Sequence, residues 1–198
     1  MWKIGITGSI ATGKTTLLEA FGKAGVPTFS ADAAVADLYA GPAVGPVEAL
    51  FPGTTRNGRV DRMELSRRLA AEPAGFTRLE ALIHPMVRER IARFLAECAA
   101  RGSAIAAVEV PLLFESGHDY GFDAIAVTFV DEAIQAERIM ARPGMNVEKC
   151  RALLARQLPQ ADKKARATYL FDSARPRHEI EAEVAALVAA IRAQEGTA

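Results

Sequence analysis

Gly8-Ser9-Ile10-Ala11-Thr12-Gly13-Lys14-Thr15, entered from Lys3-Ile4-Gly5-Ile6-Thr7, is the stretch on which the fold turns. The apolar residues before it read as a short buried strand over 3–7. Those after it, Leu17, Leu18 and Phe21, recur at helical spacing from Lys14 to about Lys23 until Gly25 intervenes. Strand, Gly-rich loop and helix is the setting in which G-x-x-x-x-G-K-[ST] has a physical meaning. Amides at a helix N-terminus meet closely spaced phosphate charges, and Gly8 and Gly13 allow the backbone to come close. Lys14 is then expected on the β- and γ-phosphates of a nucleoside triphosphate and the Thr15 hydroxyl on Mg²⁺, with Ala11, Thr12 and Thr16 completing the cradle.

Working outward, Val26-Pro27-Thr28-Phe29 reads as a second strand, with Ser30 and Asp32 at its carboxyl end, the edge where open α/β sheets bind ligands. Ala104–Val110 and Asp123–Val130 have the continuous apolar character of buried parallel strands, and Tyr169-Leu170-Phe171 is a weaker fifth candidate. The pattern predicts a three-layer α/β fold of the P-loop type, with a parallel five-stranded sheet between helices. One domain is expected over 1–198, carrying a helical acceptor-binding insertion at about 33–100 and a lid at about 138–150. The insertion shows no strand pattern and is broken at Gly41-Pro42, Pro52-Gly53 and Asn57-Gly58. Within it Ile83, Val87, Ile91, Leu95 and Cys98 share a helical face, and Pro85 predicts the start of a second helix. Asp131 is placed to cap a helix running to Arg142, where Pro143-Gly144-Met145-Asn146 breaks it into a mobile tip. A helix from Val147 to about Leu158 follows. The tail repeats apolar residues at Ile180, Val184, Leu187, Val188 and Ile191, as a docking helix does.

Composition narrows the partners. The 198 residues carry 24 Lys and Arg against 24 Asp and Glu, so no net field favours nucleic acid or an anionic membrane. Two cysteines, Cys98 and Cys150, support neither a disulfide framework nor a zinc site. With no signal-peptide core at the N-terminus and no apolar run of about eighteen residues, a cytoplasmic enzyme is expected. No Asp-x-x-Gly switch and no Asn-Lys-x-Asp guanine-reading sequence occurs, which removes Ras-like GTPases. A small-molecule kinase gains by elimination, against a non-catalytic nucleotide-binding regulator.

The motifs together resemble the dephospho-coenzyme A kinase family over nearly the full length. The resemblance rests on Ile6–Thr16, Ser30-Ala31-Asp32, Leu79-Glu80-Ala81-Leu82-Ile83-His84-Pro85, Glu109-Val110-Pro111-Leu112-Leu113-Phe114-Glu115, Gln135-Ala136-Glu137-Arg138, Arg142 and Arg156-Gln157. It implies transfer of the ATP γ-phosphoryl group to the ribose 3′-hydroxyl of dephospho-coenzyme A, with Mg²⁺, in a monomer or weak homo-oligomer that engages neither nucleic acid nor membrane. A nucleoside or nucleoside-monophosphate kinase is the nearest alternative.

Residue by residue, the resemblance makes Asp32 the group that orients the acceptor hydroxyl and takes its proton. Its other reading is a helix N-cap before Ala33. Arg62 and His84 are implied on the acceptor, against a solvated arginine and a structural histidine at a helix junction. Leu112 walls the acceptor pocket or belongs to the core, and Glu109 or Glu115 approaches metal-bound water. Gln135, Arg138 and Arg142 fall on one helix face. Arg142 is the candidate lid arginine for the transferring phosphoryl group, with Arg138 beside it on ATP, the alternative being a solvated stripe paired with Glu137. Two places depart from the family pattern: Ser30 stands where an Asp commonly precedes Ala-Asp, and Ala167-Thr168 and Ser173 replace the usual Ala-Asp and Asn.

Overall fold

Runs such as Ile-Thr-Gly and Ala-Ile-Ala-Val lack polar alternation because they are covered on both faces, which is the condition of a parallel sheet. A computed structural model describes residues 1–195. Along the chain run β1 (Trp2–Gly8), α1 (Lys14–Lys23), β2 (Thr28–Ser30), α2 (Ala31–Leu38) and α3 (Val44–Leu50). Next come β3 (Thr55–Arg56), β4 (Arg59–Val60), α4 (Arg62–Ala71), α5 (Ala74–Ala100), β5 (Ile105–Glu109) and β6 (Ala124–Phe129). The chain continues with α6 (Glu132–Met140), α7 (Val147–Ala155), α8 (Gln160–Ala165), β7 (Tyr169–Asp172) and α9 (Arg177–Glu195). These fall into two compact units, one made of residues 1–30 with the described residues from 95 onward and the other of residues 31–94.

The first unit holds the five-stranded sheet, in the order β2-β5-β1-β6-β7 and parallel throughout. Register aligns the carboxyl ends: Gly8 pairs with Thr128, and Ser30 and Ile6 both pair with Glu109. The loops after β1, β5, β6 and β7 therefore gather at one edge. Ile4, Ile6, Ile105, Ala107 and Ala126 pack with Leu17 and Phe21 of α1 and with Ile180, Val184, Val188 and Ile191 of α9. Each of these large side chains contributes about 1.5–3 kcal/mol on burial. The tail helix docks through the residues its periodicity marked.

The second unit contains α2, α3, α4, most of α5 and a small antiparallel ribbon, β3 paired with β4. That ribbon corrects the expectation of an insertion without strands. Its turn is Asn57-Gly58, with φ of 51° and 71°, the two positive angles a type I′ hairpin requires. Two-residue strands are too short to show alternation.

A second correction concerns Pro85, which lies inside α5 and does not open a new helix. An interior proline costs about 3 kcal/mol through one lost hydrogen bond and a ring clash. Leu79, Ile83, Val87 and Ile91, on both sides of it, are all buried and together outweigh that cost.

Candidate active site

β1 ends at Gly8 and the chain turns through left-handed backbone at Ala11 (φ 62°) and Gly13 (φ 86°) before α1 starts at Lys14. The path leaves no room for side chains. A Cβ on Gly8 would lie 2.3 Å from the Thr128 hydroxyl and 2.6 Å from its backbone oxygen, and one on Gly13 would lie 2.8 Å from Ser173 Cβ. Gly8→Ala is accordingly expected to lose about 2 kcal/mol of stability. Thermal denaturation checks this, and an unchanged Tm would mean that the loop is looser than its contacts indicate.

The loop is pinned beneath by hydroxyls. The buried Thr12 Oγ1 lies 2.8 Å from both the Ser9 carbonyl oxygen and Thr128 Oγ1. The Thr12 hydroxyl is thus committed to holding the loop. Lys14 Nζ donates to the carbonyls of Gly8 (3.1 Å) and Ser9 (3.0 Å), which holds the ammonium across the loop. Thr15 is exposed in the first turn of α1 and Thr16 half-buried, both beside the helix N-terminus.

Side chains from α6 and from the segment after α7 hold the loop from the side. Gln135 Nε2 donates to the Ile10 carbonyl (2.8 Å), and the Ile10 amide donates to Gln157 Oε1 (2.9 Å). Arg138 donates to the Ser173 hydroxyl and carbonyl, both at 2.8 Å, and reaches the Ala11 carbonyl at 3.5 Å. Gln135 and Arg138 thus share the loop, as their helical spacing implies. Arg142 does not join them: α6 ends at Met140, and Arg142 is exposed in the following turn with no side-chain partner among the described residues.

At the same sheet edge Ser30 Oγ donates to the buried Glu109 carboxylate at 3.0 Å. Glu115 is engaged elsewhere. It accepts from the Leu158 amide at 2.9 Å and pairs at 2.7 Å with Lys163, whose side chain is 1% exposed. Leu112 is half-buried in the turn after β5, next to the fully buried Leu113.

In the unit of residues 31–94, Asp32 and Arg62 line one cleft of about 410 Å³ with Val35, Tyr39, Leu65 and Leu79. Asp32 sits within the first turn of α2, exposed, and among the described residues its carboxylate caps no amide. Asp61 is the residue that caps a helix here, accepting from the amides of Met63 and Glu64, and so it presents Arg62 as the first residue of α4. The Arg62 guanidinium lies 5.6 Å from the Tyr39 ring centre, within the range of a cation–π contact. Burial raises the Tyr39 pKa, with Arg62 opposing. His84 is not among the residues lining this cleft. It is half-buried on α5, where burial pushes its pKa down, Glu80 opposes and Arg88 adds to the effect.

Sequence reasoning missed Thr128 and Gln160. Thr128 left a signal, a lone hydroxyl in the apolar strand Ala-Ile-Ala-Val-Thr-Phe. Gln160 left none, because its partners Val130 and Gln135 are 30 and 25 residues away.

A model of the dephospho-CoA kinase family matches residues 2–176. A dephospho-CoA kinase of Rhizobium etli is 46% identical over 192 residues, covering 97% of this chain and 95% of its own. One from Brucella melitensis is 43% identical, covering 93% and 92%. Among solved structures, TT1252 from Thermus thermophilus superposes with a TM-score of 0.77 at 31% identity, over 95% of this chain and 96% of that one. The dephospho-CoA kinase from Campylobacter jejuni shares the fold, with a TM-score of 0.67 at 21% identity over 96% of both chains. With the family model spanning most of the sequence and close relatives matching nearly end to end, this chain belongs to the dephospho-CoA kinase family.

Proposed function

We propose that the protein transfers the γ-phosphoryl group of ATP to the 3′-hydroxyl of dephospho-CoA, giving CoA and ADP. The observation that carries this is the left-handed loop Gly8–Lys14 at the carboxyl end of β1, with the Lys14 ammonium held across it. Amides at the N-terminus of α1 bind the phosphates, and Lys14 balances charge that builds on the β–γ oxygens as the terminal bond breaks. The phosphorus–oxygen bond to the β-phosphate breaks, a bond to the acceptor oxygen forms, and the hydroxyl proton passes to Asp32.

Arg62 and Tyr39 offer the acceptor a cation and an aromatic face in the cleft that Asp32 lines. Arg142, on the exposed turn after α6, is the arginine free to swing onto the transferring group when the 138–150 segment closes and excludes water. Arg138, tied to Ser173, acts on ATP from a fixed position. His84 and Leu112 complete the acceptor side in this reading.

The residues also fit a magnesium ion. Mg²⁺ keeps several waters and takes few protein ligands beside phosphate oxygens, so one exposed hydroxyl at Thr15 suffices. Bound together with ATP, it would be held by the Thr15 hydroxyl and would neutralise phosphate charge. Cys98 and Cys150 are free thiols, which suits the cytoplasmic monomer or weak oligomer we assign. Among the described residues no helix is long and apolar enough to cross a membrane.

An acceptor panel tests the reaction. ADP release measured with dephospho-CoA, nucleosides and nucleoside monophosphates should rise above background only with dephospho-CoA. Stimulation by a nucleoside alone would assign a different acceptor. ATP binding without turnover on any acceptor would leave a nucleotide-binding regulator.

A further inference from the structure

The peptide at Ile10 is gripped on both of its polar groups by side chains from two separate segments. Its carbonyl accepts from Gln135 of α6, and its amide donates to Gln157, just after α7. The grip continues inward. Gln135 Oε1 accepts from Gln160 Nε2 at 2.9 Å, and Gln160 in turn spans Val130, donating to its carbonyl and accepting from its amide, both at 3.1 Å.

Backbone groups fix the polarity of this relay at both ends. The Val130 amide can only donate, so the Gln160 oxygen faces it and the Gln160 nitrogen faces Gln135. Gln135 must then present its oxygen to Gln160 and its nitrogen to the Ile10 carbonyl. Each orientation follows from the last, leaving no amide flip that preserves all the bonds. The relay ties the tip of the phosphate loop to the end of β6.

The neighbouring residue explains what the grip does. Ala11 holds φ 62°, a left-handed angle that costs an alanine of order 1–3 kcal/mol and persists only where surroundings over-determine it. A loop left to itself would relax toward other conformers. We infer that Gln135 and Gln157 are positioning residues: they clamp the Ile10 peptide, hold the loop in its phosphate-binding shape and thereby set the affinity for ATP. Gln135 and Gln157 flank the 138–150 segment, so chain on both sides of the proposed lid fastens to one peptide of the phosphate loop.

The size of the effect follows from the surroundings. The glutamines border a cleft of about 420 Å³ that also touches Ser9, Ile139 and Leu154, so water can reach the Ile10 groups when a side chain is removed. Truncation then removes geometry and leaves hydrogen-bonding partners available. If the competent conformer falls to about a tenth of the population, apparent nucleotide affinity falls about tenfold. Saturating ATP restores that population, so kcat stays near its parental value.

This inference rests on the reading of Gly8–Thr15 as the ATP site. The test compares Gln157→Ala, Gln135→Ala and the double variant with the parent. Calorimetry gives the Kd for ADP with magnesium, steady-state kinetics give both KM values and kcat, and thermal denaturation gives Tm. Expected are an ADP Kd and an ATP KM raised about tenfold in either single variant, with kcat and the KM for dephospho-CoA within about twofold. Because both side chains hold one peptide, the double variant should fall well short of the product of the two single effects.

Parental ADP affinity in Gln157→Ala overturns the inference. So does a loss of kcat that tracks a lowered Tm while the two KM values change together, since that marks a structural role. If the buried Gln135→Ala does not fold, the half-buried Gln157→Ala decides the matter by itself. Should the parent bind ADP yet phosphorylate another acceptor, the proposed reaction fails while the affinity measurement still judges the clamp. A parent that binds no ADP overturns both.

Discussion

Lys14→Ala should lower kcat/KM by about 10²–10³-fold, the scale on which removing one preorganised donor to a developing charge acts. Lys14 does not wander in solvent: its ammonium is fixed by the carbonyls of Gly8 (3.1 Å) and Ser9 (3.0 Å), so its charge is in place when phosphate oxygens arrive. Water entering the truncated position carries no net charge and pays ordering entropy that the tethered ammonium avoids. The fold should be indifferent, because Lys14 opens α1 and alanine is the best helix former. Steady-state kinetics beside a melting curve separate the two. A variant that melts like the parent and keeps kcat/KM within about threefold would remove Lys14 from the phosphates.

How much of this was legible in the sequence depended on how local each determinant is. The phosphate loop was readable because strand, glycines, lysine and helix are contiguous, and α9 because four buried residues repeat at steps of three and four. Pro85 misled because a local rule about proline competes with a buried stripe of four residues that the rule does not weigh. The short helix α8 was invisible to hydropathy. Its one buried residue is Lys163, a charge that looks solvated in sequence and is buried only because Glu115, 48 positions earlier, meets it at 2.7 Å.

The candidate site follows the same logic. The motifs named Gln135, Arg138 and Gln157, yet what they do is set by Ile10, Ala11 and Ser173, which no spacing rule connects to them. Ser30 is a case in point. Its hydroxyl donates to the buried Glu109, a bond that an ionised aspartate at position 30 could not make, so serine here gives a buried carboxylate a neutral partner.

Asp32→Asn should slow phosphoryl transfer by about 10²-fold, toward the lower end of what a positioned general base supplies. The lower end is chosen because phosphoryl transfer runs through a loose transition state in which the acceptor hydroxyl has lost little of its proton, so removal of the proton acceptor acts late. Asparagine keeps the shape and can still orient a hydroxyl by accepting through its carbonyl oxygen, but it cannot take up the proton. Little else should change. The carboxylate caps no amide among the described residues and is exposed in the first turn of α2, so the fold loses only a favourable charge near a helix N-terminus, about 0.3–1 kcal/mol. The KM for ATP should stay at its parental value, since the residues of the Gly8–Thr15 loop are unaltered. A single-turnover experiment at saturating ATP and dephospho-CoA isolates the transfer step from product release. Parental single-turnover rates in Asp32→Asn would mean that solvent takes the proton and that Asp32 serves only to shape the cleft it shares with Tyr39 and Arg62.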